Sequence, residues 1–184
     1  MLGATGAGAG VAVAIGSCGD REDNPEVTQT VSPEQMRSDA SVLNALLDLE
    51  RTAVLAYAVG RRRLTGEARA VARTLMAHER RHQRAVEDAI RDLGAHPVPP
   101  RPAAAYSDGF PPLRTTRDVL RFALDIENTQ ISAYGESLGS LATPRLRVML
   151  GSILTAEAEH MSVILGQLGE PQAPQALVTG SAPT

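Results

Sequence analysis

The chain has 184 residues, enough for one domain with a hydrophobic core, and 43% of them are hydrophobic. Only 3% are aromatic, and Ala and Leu dominate, which favours helix over sheet. The net charge is -3, all 18 basic residues are Arg and no face is strongly basic, so we expect no nucleic-acid partner.

Residues 1–18 are small and apolar, as at the end of an export signal. Their hydrophobic centre at 11–15 is too short to span a bilayer. The stretch Ile-Gly-Ser-Cys at 15–18 resembles a bacterial lipobox, in which the cysteine is lipidated. That resemblance implies an exported lipoprotein, anchored through Cys18 to the outer face of the bacterial cytoplasmic membrane. The alternative is a Gly/Ala-rich leader on a cytoplasmic protein, and the lack of Arg before Arg21 leaves this alternative open.

Helix signals begin after a polar segment, 19–31, that is typical of a flexible tether. Ser32 can cap a helix, and Gln35 stands where a capping box requires it. We expect an opening turn here, followed by a first helix near 39–64. A second helix is expected near 67–93, because glycines stand on both sides of it.

A proline-rich segment, 95–114, separates these helices from two more. Its six prolines exclude a helix there. A third helix is expected at 115–141, where two threonines can cap its start, and a fourth at 143–168, which opens with Thr-Pro. The tail at 170–184 is rich in Pro, Ala and Gln, and we expect it to be disordered.

The connection lengths predict the topology of an all-α four-helix bundle over 32–169. Only a few residues join the first two helices or the last two, so each pair should form an antiparallel hairpin. The crossover of about 20 residues could reach ~66 Å when extended. A helix of about 25 residues is only ~38 Å long. The crossover can therefore run the full length of the bundle.

The two hairpins repeat one sequence pattern. Residues 47–57, LDLERTAVLAY, match residues 124–134, LDIENTQISAY, at six of eleven positions. The Glu-x-x-His unit at 79–82 on the second helix likewise matches the unit at 157–160 on the fourth. We expect a duplicated hairpin packed about a pseudo-twofold axis, with matching residues facing one another.

Glutamates and histidines interrupt the apolar stripe of all four helices at one level, in positions that face the core. These residues are Glu50, Glu79, His82, Glu127, Glu157 and His160. Burying a carboxylate without compensation costs several kcal/mol. Two divalent cations would balance four glutamates, and carboxylate with imidazole suits iron, manganese or zinc better than calcium. The pattern predicts a site for two metal ions.

This arrangement resembles the ferritin-like di-iron carboxylate proteins, in which two helices supply one Glu each and two supply Glu-x-x-His. The resemblance covers about 39–168 and includes all six ligand positions. It implies that Glu79 and Glu157 bridge two ions, expected to be iron, and that the other four residues each bind one ion. Tyr57 and Tyr134, seven residues after the lone glutamates, would lie beside the site with a supporting or redox role, unless they are simply core residues.

The same resemblance implies a ferroxidase or peroxide-reducing activity, with oxygen or peroxide as the reactant. The sequence has no cysteine-rich electron-transfer segment and no evident fifth helix after the fourth, and these departures together with a membrane tether argue against bulk iron storage. A homodimer is the default expectation because symmetric dimers are common. The alternatives are a lipid-anchored scaffold with a structural ion or none, and a zinc or manganese site without redox chemistry.

Residues 78–82 also fit the H-E-x-x-H pattern of zinc proteases, with His78 and His82 as ligands. The repeat has Ala156 where His78 stands, and the other four candidate ligands would be left unexplained. We therefore favour the two-metal interpretation and expect His78 to be exposed or, at most, to touch the site from outside.

Overall fold

The computed structural model describes residues 30–180, which form five helices and no strand. The helices are α1 (Pro33–Gly60), α2 (Gly66–Asp92), α3 (Ala103–Ser107), α4 (Thr116–Leu138) and α5 (Pro144–Leu168). The predicted signal segment with Cys18 and most of the predicted tether lie outside the described residues. The predicted all-α bundle is confirmed, with α1 against α2, α4 against α5 and α1 against α4.

Two capping boxes begin helices where the sequence indicated a start. Gln35 N donates to Ser32 Oγ at 3.2 Å, and Ser32 N donates to Gln35 Oε1 at 2.8 Å. Thr115 and Asp118 make the same reciprocal pair at α4. The expected separate opening turn before the first helix is wrong, because α1 runs unbroken from Pro33. These caps satisfy backbone donors that a helix start leaves free.

The expectation that the crossover holds no helix is wrong for five residues, Ala103–Ser107. Three alanines favour a helix there, and none of the six prolines falls within it, since four stand before it and two after it. Tyr106 on this turn is buried, so side-chain burial adds to the helical preference. The crossover is tied to α1, where Val98 N donates to Asn44 Oδ1 at 2.7 Å.

Two apolar clusters fill the bundle on opposite sides of the level that carries the glutamates. One includes Leu43, Leu47, Val86, Tyr134, Leu150 and Ile153. The other includes Tyr57, Leu75, Met76, Leu120, Leu124 and Ile164. On every long helix the buried glutamate lies between a residue of one cluster and a residue of the other. The polar level is therefore enclosed by hydrophobic core above and below.

Helix α5 is, among the described helices, the one long and apolar enough to cross a membrane by length and composition. Its Glu157 and His160 are buried in the bundle, which is the environment of a core helix in a folded domain. After α5, residues 170–180 contain no helix or strand, and Glu170 pairs with Arg121 of α4.

Asp39 fastens the beginning of α1 to the loop between α4 and α5. Its side chain is fully buried and accepts hydrogen bonds from Ala142 N and Thr143 N, both at 2.9 Å. These bonds join the two hairpins at one end of the bundle. They also occupy backbone donors next to the start of α5, which would otherwise lack partners.

We expect Asp39→Ala to lower the free energy of unfolding by about 2–4 kcal/mol, because it strands two backbone donors in a protected position. Urea unfolding followed by circular dichroism measures the change. Asp88→Ala is the control, since Asp88 is exposed and its ion pair with Arg91 lies at the surface. Equal stability of the two variants would show that Asp39 does not join the hairpins.

Candidate metal centre

Each of the four long helices places one glutamate at the same level of the bundle. Glu50 lies on α1, Glu79 on α2, Glu127 on α4 and Glu157 on α5, and all four are fully buried. Each follows its helix's apolar stripe with a spacing of three or four residues, which turns it toward the bundle axis. The side chains of α1 and α2 thereby meet those of α4 and α5.

The candidate ligands form two overlapping groups in which the ligand atoms lie within 4.8 Å of one another. The first group is Glu50, Glu79, His82 and Glu157. The second is Glu79, Glu127, Glu157 and His160. Glu79 and Glu157 belong to both groups, and each of the other four residues belongs to one. The structure thus brings together all six residues singled out in the sequence, in the sharing pattern expected for two bridged ions.

Both histidines turn Nδ1 toward the carboxylates. His160 Nδ1 lies 2.9 Å from Glu157 Oε2, 3.1 Å from Glu79 Oε1 and 3.3 Å from Glu127 Oε2. His82 Nδ1 lies 2.9 Å from Glu157 Oε1 and 4.0 Å from Glu79 Oε2. The two oxygens of Glu157 therefore face different histidines, as a carboxylate that spans two ions would.

Apart from the contacts between carboxylates and histidines just described, several ligand atoms in this cluster are buried and have no hydrogen-bond partner among residues 30–180. They are Glu50 Oε2, Glu79 Oε1, His82 Nδ1 and both carboxylate oxygens of Glu157. Buried polar atoms are nearly always paired, so a set of unpaired acceptors needs an explanation. Oxygen and imidazole nitrogen acceptors converging on one space fit divalent transition metals. The donor set of this site therefore suits a pair of cations.

The tyrosines bond across the bundle, each to the lone glutamate of the opposite hairpin. Tyr57 Oη on α1 donates to Glu127 Oε1, and Tyr134 Oη on α4 donates to Glu50 Oε1. Burial, followed by the neighbouring glutamates, raises the pKa of both phenols well above the ordinary value. The phenols therefore keep their protons and act as donors. Each bond also leaves the second oxygen of the glutamate directed toward the cluster.

The sequence profile of the ferritin-like domain family matches residues 35–170. The chain belongs to this family. The fold is similar to a thioferritin, the bacterioferritin-related protein from Bacteroides fragilis, which is described as dodecameric. That match has a TM-score of 0.62 and 23% identity, and covers 73% of this chain and 86% of that one.

A second similar structure is a ferritin-like di-iron carboxylate protein from Bacillus anthracis. It has a TM-score of 0.60 and 22% identity, and the match covers 73% of this chain and 97% of that one. No curated protein matches the chain. The family profile confirms the ferritin-like resemblance, and both structures show the same fold.

In this ferritin-like domain, the burial of four carboxylates close together shifts the pKa values of the cluster. Burial first, then neighbouring carboxylates, raise the pKa of Glu50 well above its usual range, and burial does the same at Glu127. Burial opposes ionisation of Glu157, but contacts with His160 and His82 outweigh it and lower the pKa to about 2. Burial likewise opposes charge on His160, whose contacts with Glu127 and other glutamates raise its pKa to about 12. Without another cation, a proton on His160 carries positive charge inside the cluster.

Two further residues contact the candidate ligands: Gln130, which the sequence does not predict, and His78, which the sequence predicts at most to touch the site from outside. Gln130 is buried, and its Nε2 donates to Glu79 Oε2 at 3.0 Å. His78 is half-buried, with Nδ1 at 3.0 Å from His160 Nε2. His78 belongs to neither ligand group, so the zinc-protease pattern is not assembled. Both residues stand where the repeat departs from itself, but it departs at several other positions too, so the departure alone does not single them out.

We expect Tyr57→Phe and Tyr134→Phe each to lower the stability of the metal-free domain by about 1–3 kcal/mol, because each leaves a buried glutamate oxygen without its donor. Urea unfolding with a chelator present measures the change. Tyr106→Phe is the matched control, since its hydroxyl accepts a bond from Arg101 N away from the cluster. Equal losses of stability in the three variants would show that the tyrosine–glutamate bonds between the hairpins contribute no more than the Tyr106 hydrogen bond outside the cluster.

Proposed function

We propose that this ferritin-like domain binds two metal ions, with iron as the expected metal and manganese or zinc as alternatives. Glu79 and Glu157 would bridge the ions. Glu50 and His82 would complete one position, and Glu127 and His160 the other. The observation that carries the proposal is the pair of ligand groups sharing Glu79 and Glu157, with unpaired acceptor atoms facing the shared space.

Charge and donor type support this assignment. Two divalent cations would neutralise four glutamates, and neutral imidazoles would complete the positions without adding charge. The mixture of carboxylate and imidazole favours transition metals over calcium or magnesium. A cation in the cluster would also take over the neutralising role of the His160 proton. Metal binding would then release a proton from this histidine.

We propose oxygen- or peroxide-dependent iron oxidation as the reaction. Bound iron would supply the electrons that reduce oxygen or peroxide. The chain's own contribution is a water-poor space between two apolar clusters and two phenols that hold protons at Glu50 and Glu127. Similar solved structures include a di-iron carboxylate protein and a dodecameric thioferritin, which favour iron and some self-association, with a homodimer as the smallest assembly.

A scaffold with a structural ion or none is the second candidate. The contacts of His160 favour it, because a protonated imidazole already neutralises part of the cluster. In that case the bundle would fold stably without metal, and its outer surface would carry the function. Metal content and iron oxidation distinguish the two candidates.

We expect Glu79→Ala or Glu157→Ala to abolish binding at both metal positions, because each residue would contact both ions. Glu50→Ala should instead abolish binding at one position. Elemental analysis of the purified chain after anaerobic loading with Fe(II) measures the stoichiometry, with about two ions expected in the parent protein. Glu159→Ala is the matched control, since Glu159 is an exposed glutamate on the same helix as Glu157.

Full occupancy in Glu79→Ala or Glu157→Ala would refute the bridging assignment. Iron oxidation is then followed by absorbance after addition of oxygen or peroxide to the loaded protein. A rate above that of the Glu79→Ala variant supports the reaction. Stoichiometric metal without such a rate supports the structural-ion candidate instead.

We also propose that the protein is an exported lipoprotein, with Cys18 as the lipidated residue. The support is the Ile-Gly-Ser-Cys stretch after a short apolar segment, followed by a polar segment. A lipid anchor would place the ferritin-like domain at the outer face of the cytoplasmic membrane. Stable attachment requires more than one acyl chain, as bacterial lipoproteins carry.

We expect Cys18→Ser to move the protein from the membrane fraction to the soluble fraction of the expressing bacterium, because the attachment atom for the lipid is lost. Fractionation and immunoblotting measure the distribution. Ser17→Ala is the control, since it alters the neighbouring residue and keeps the thiol. Retention of the Cys18→Ser variant in the membrane fraction would contradict the lipid anchor.

A further inference from the structure

The internal repeat differs between its two halves immediately before the Glu-x-x-His units. His78 precedes Glu79 on α2, whereas Ala156 precedes Glu157 on α5. The two halves otherwise supply the same ligand types. A difference at this one position therefore places an extra imidazole on one side of a site whose ligands are duplicated.

The extra imidazole contacts one candidate ligand and not its counterpart. His78 Nδ1 lies 3.0 Å from His160 Nε2, and the two ring planes are inclined by 29° with centroids 5.2 Å apart. His160 turns its other nitrogen, Nδ1, into the carboxylate cluster. Within residues 30–180, His82 Nε2 has no comparable hydrogen bond, and the His82 side chain is 13% exposed. The two histidines of the repeat thus have different surroundings.

The direction of the His78 bond follows from chemistry. An imidazole that binds a metal through Nδ1 carries its proton on Nε2, so His160 Nε2–H donates and His78 Nδ1 accepts. Such a bond fixes the tautomer and the ring orientation of the ligand and raises its basicity. Outer hydrogen bonds of this kind are typically worth about 10–100-fold in metal affinity.

We propose that His78 is a positioning residue that makes the two metal positions unequal, so that the Glu127–His160 position fills before the Glu50–His82 position. This inference rests on the proposed function, because it concerns the same two-ion site. Of the other positions at which the repeat departs from itself, Gln130 is one that contacts a candidate ligand, but it bonds to Glu79, which is shared by both positions. The preference between positions therefore depends on His78.

The test is an anaerobic titration of the purified full-length chain with Co(II), followed by calorimetry and visible absorption. The parent protein should bind two ions in steps separated by about 10-fold or more in affinity. His78→Ala should weaken the tighter step by about 10–100-fold and bring the two steps together. His78→Asn should keep them separate, because its amide oxygen can accept near the position of Nδ1.

His96→Ala is the matched control, because it removes an exposed histidine from the crossover and should leave both steps unchanged. The ligand variants assign the steps. Glu127→Ala should retain only the weaker step, and Glu50→Ala only the tighter one. These two variants also test the order of filling if His78→Ala does not fold. Retention of the tighter step in Glu127→Ala and of the weaker step in Glu50→Ala would overturn the inference.

The outcomes separate the two proposals. Two ions bound with equal affinity by the parent protein, or two separate steps preserved in His78→Ala, would overturn the inference and leave the two-metal site standing. Loss of the tighter step in His78→Asn to the same degree as in His78→Ala would overturn the acceptor role. No Co(II) binding by the folded parent protein would overturn the proposed two-metal site itself.

Discussion

The burial of four carboxylates at one level of the bundle constrains the rest of the structure. Each uncompensated charge would cost several kcal/mol, and a domain of this size is stable by only about 5–15 kcal/mol in total. Two phenols, one amide and the imidazole of His160 bond to some of the carboxylate oxygens. Within residues 30–180, the remaining acceptors either contact only the two histidines or lack partners, so the folded domain needs positive charge or protonated carboxylates in their midst.

The site depends on both hairpins, because neither could assemble it alone. One ligand group draws on α1, α2 and α5, and the other on α2, α4 and α5. The tyrosines reinforce this dependence, since each donates to the glutamate of the opposite hairpin. Residues that meet only after the hairpins pack cannot form either complete ligand group in the unfolded chain. Any affinity of the site for metal therefore also stabilises the packed bundle.

The sequence predicts the helices and the level of the site because both follow from periodicity. Glu50 and Glu127 are recognisable in the sequence because they occupy positions on the apolar stripe of their helices. The bonds of Tyr57 and Tyr134 to the opposite hairpin are not recognisable, because helical periodicity places a residue on a face and does not identify its partner on another helix. Gln130 was missed because one amide on a seam has no distinctive pattern. The short helix in the crossover was missed because prolines nearby outweighed three alanines.

A duplicated hairpin starts with two equivalent metal positions, and a substitution in one copy can change one position while the other keeps its ligands. His78 is such a difference, because Ala156 at the matching place can accept no hydrogen bond through its side chain. Because His78 bonds to His160 and, within the described residues, His82 has no such neighbour, the two positions would bind their metal ions in a defined order. An ion held first by Glu127 and His160 would orient both shared glutamates, since their second oxygens face the remaining position. The departure from symmetry would thus prepare the weaker position for its own ion.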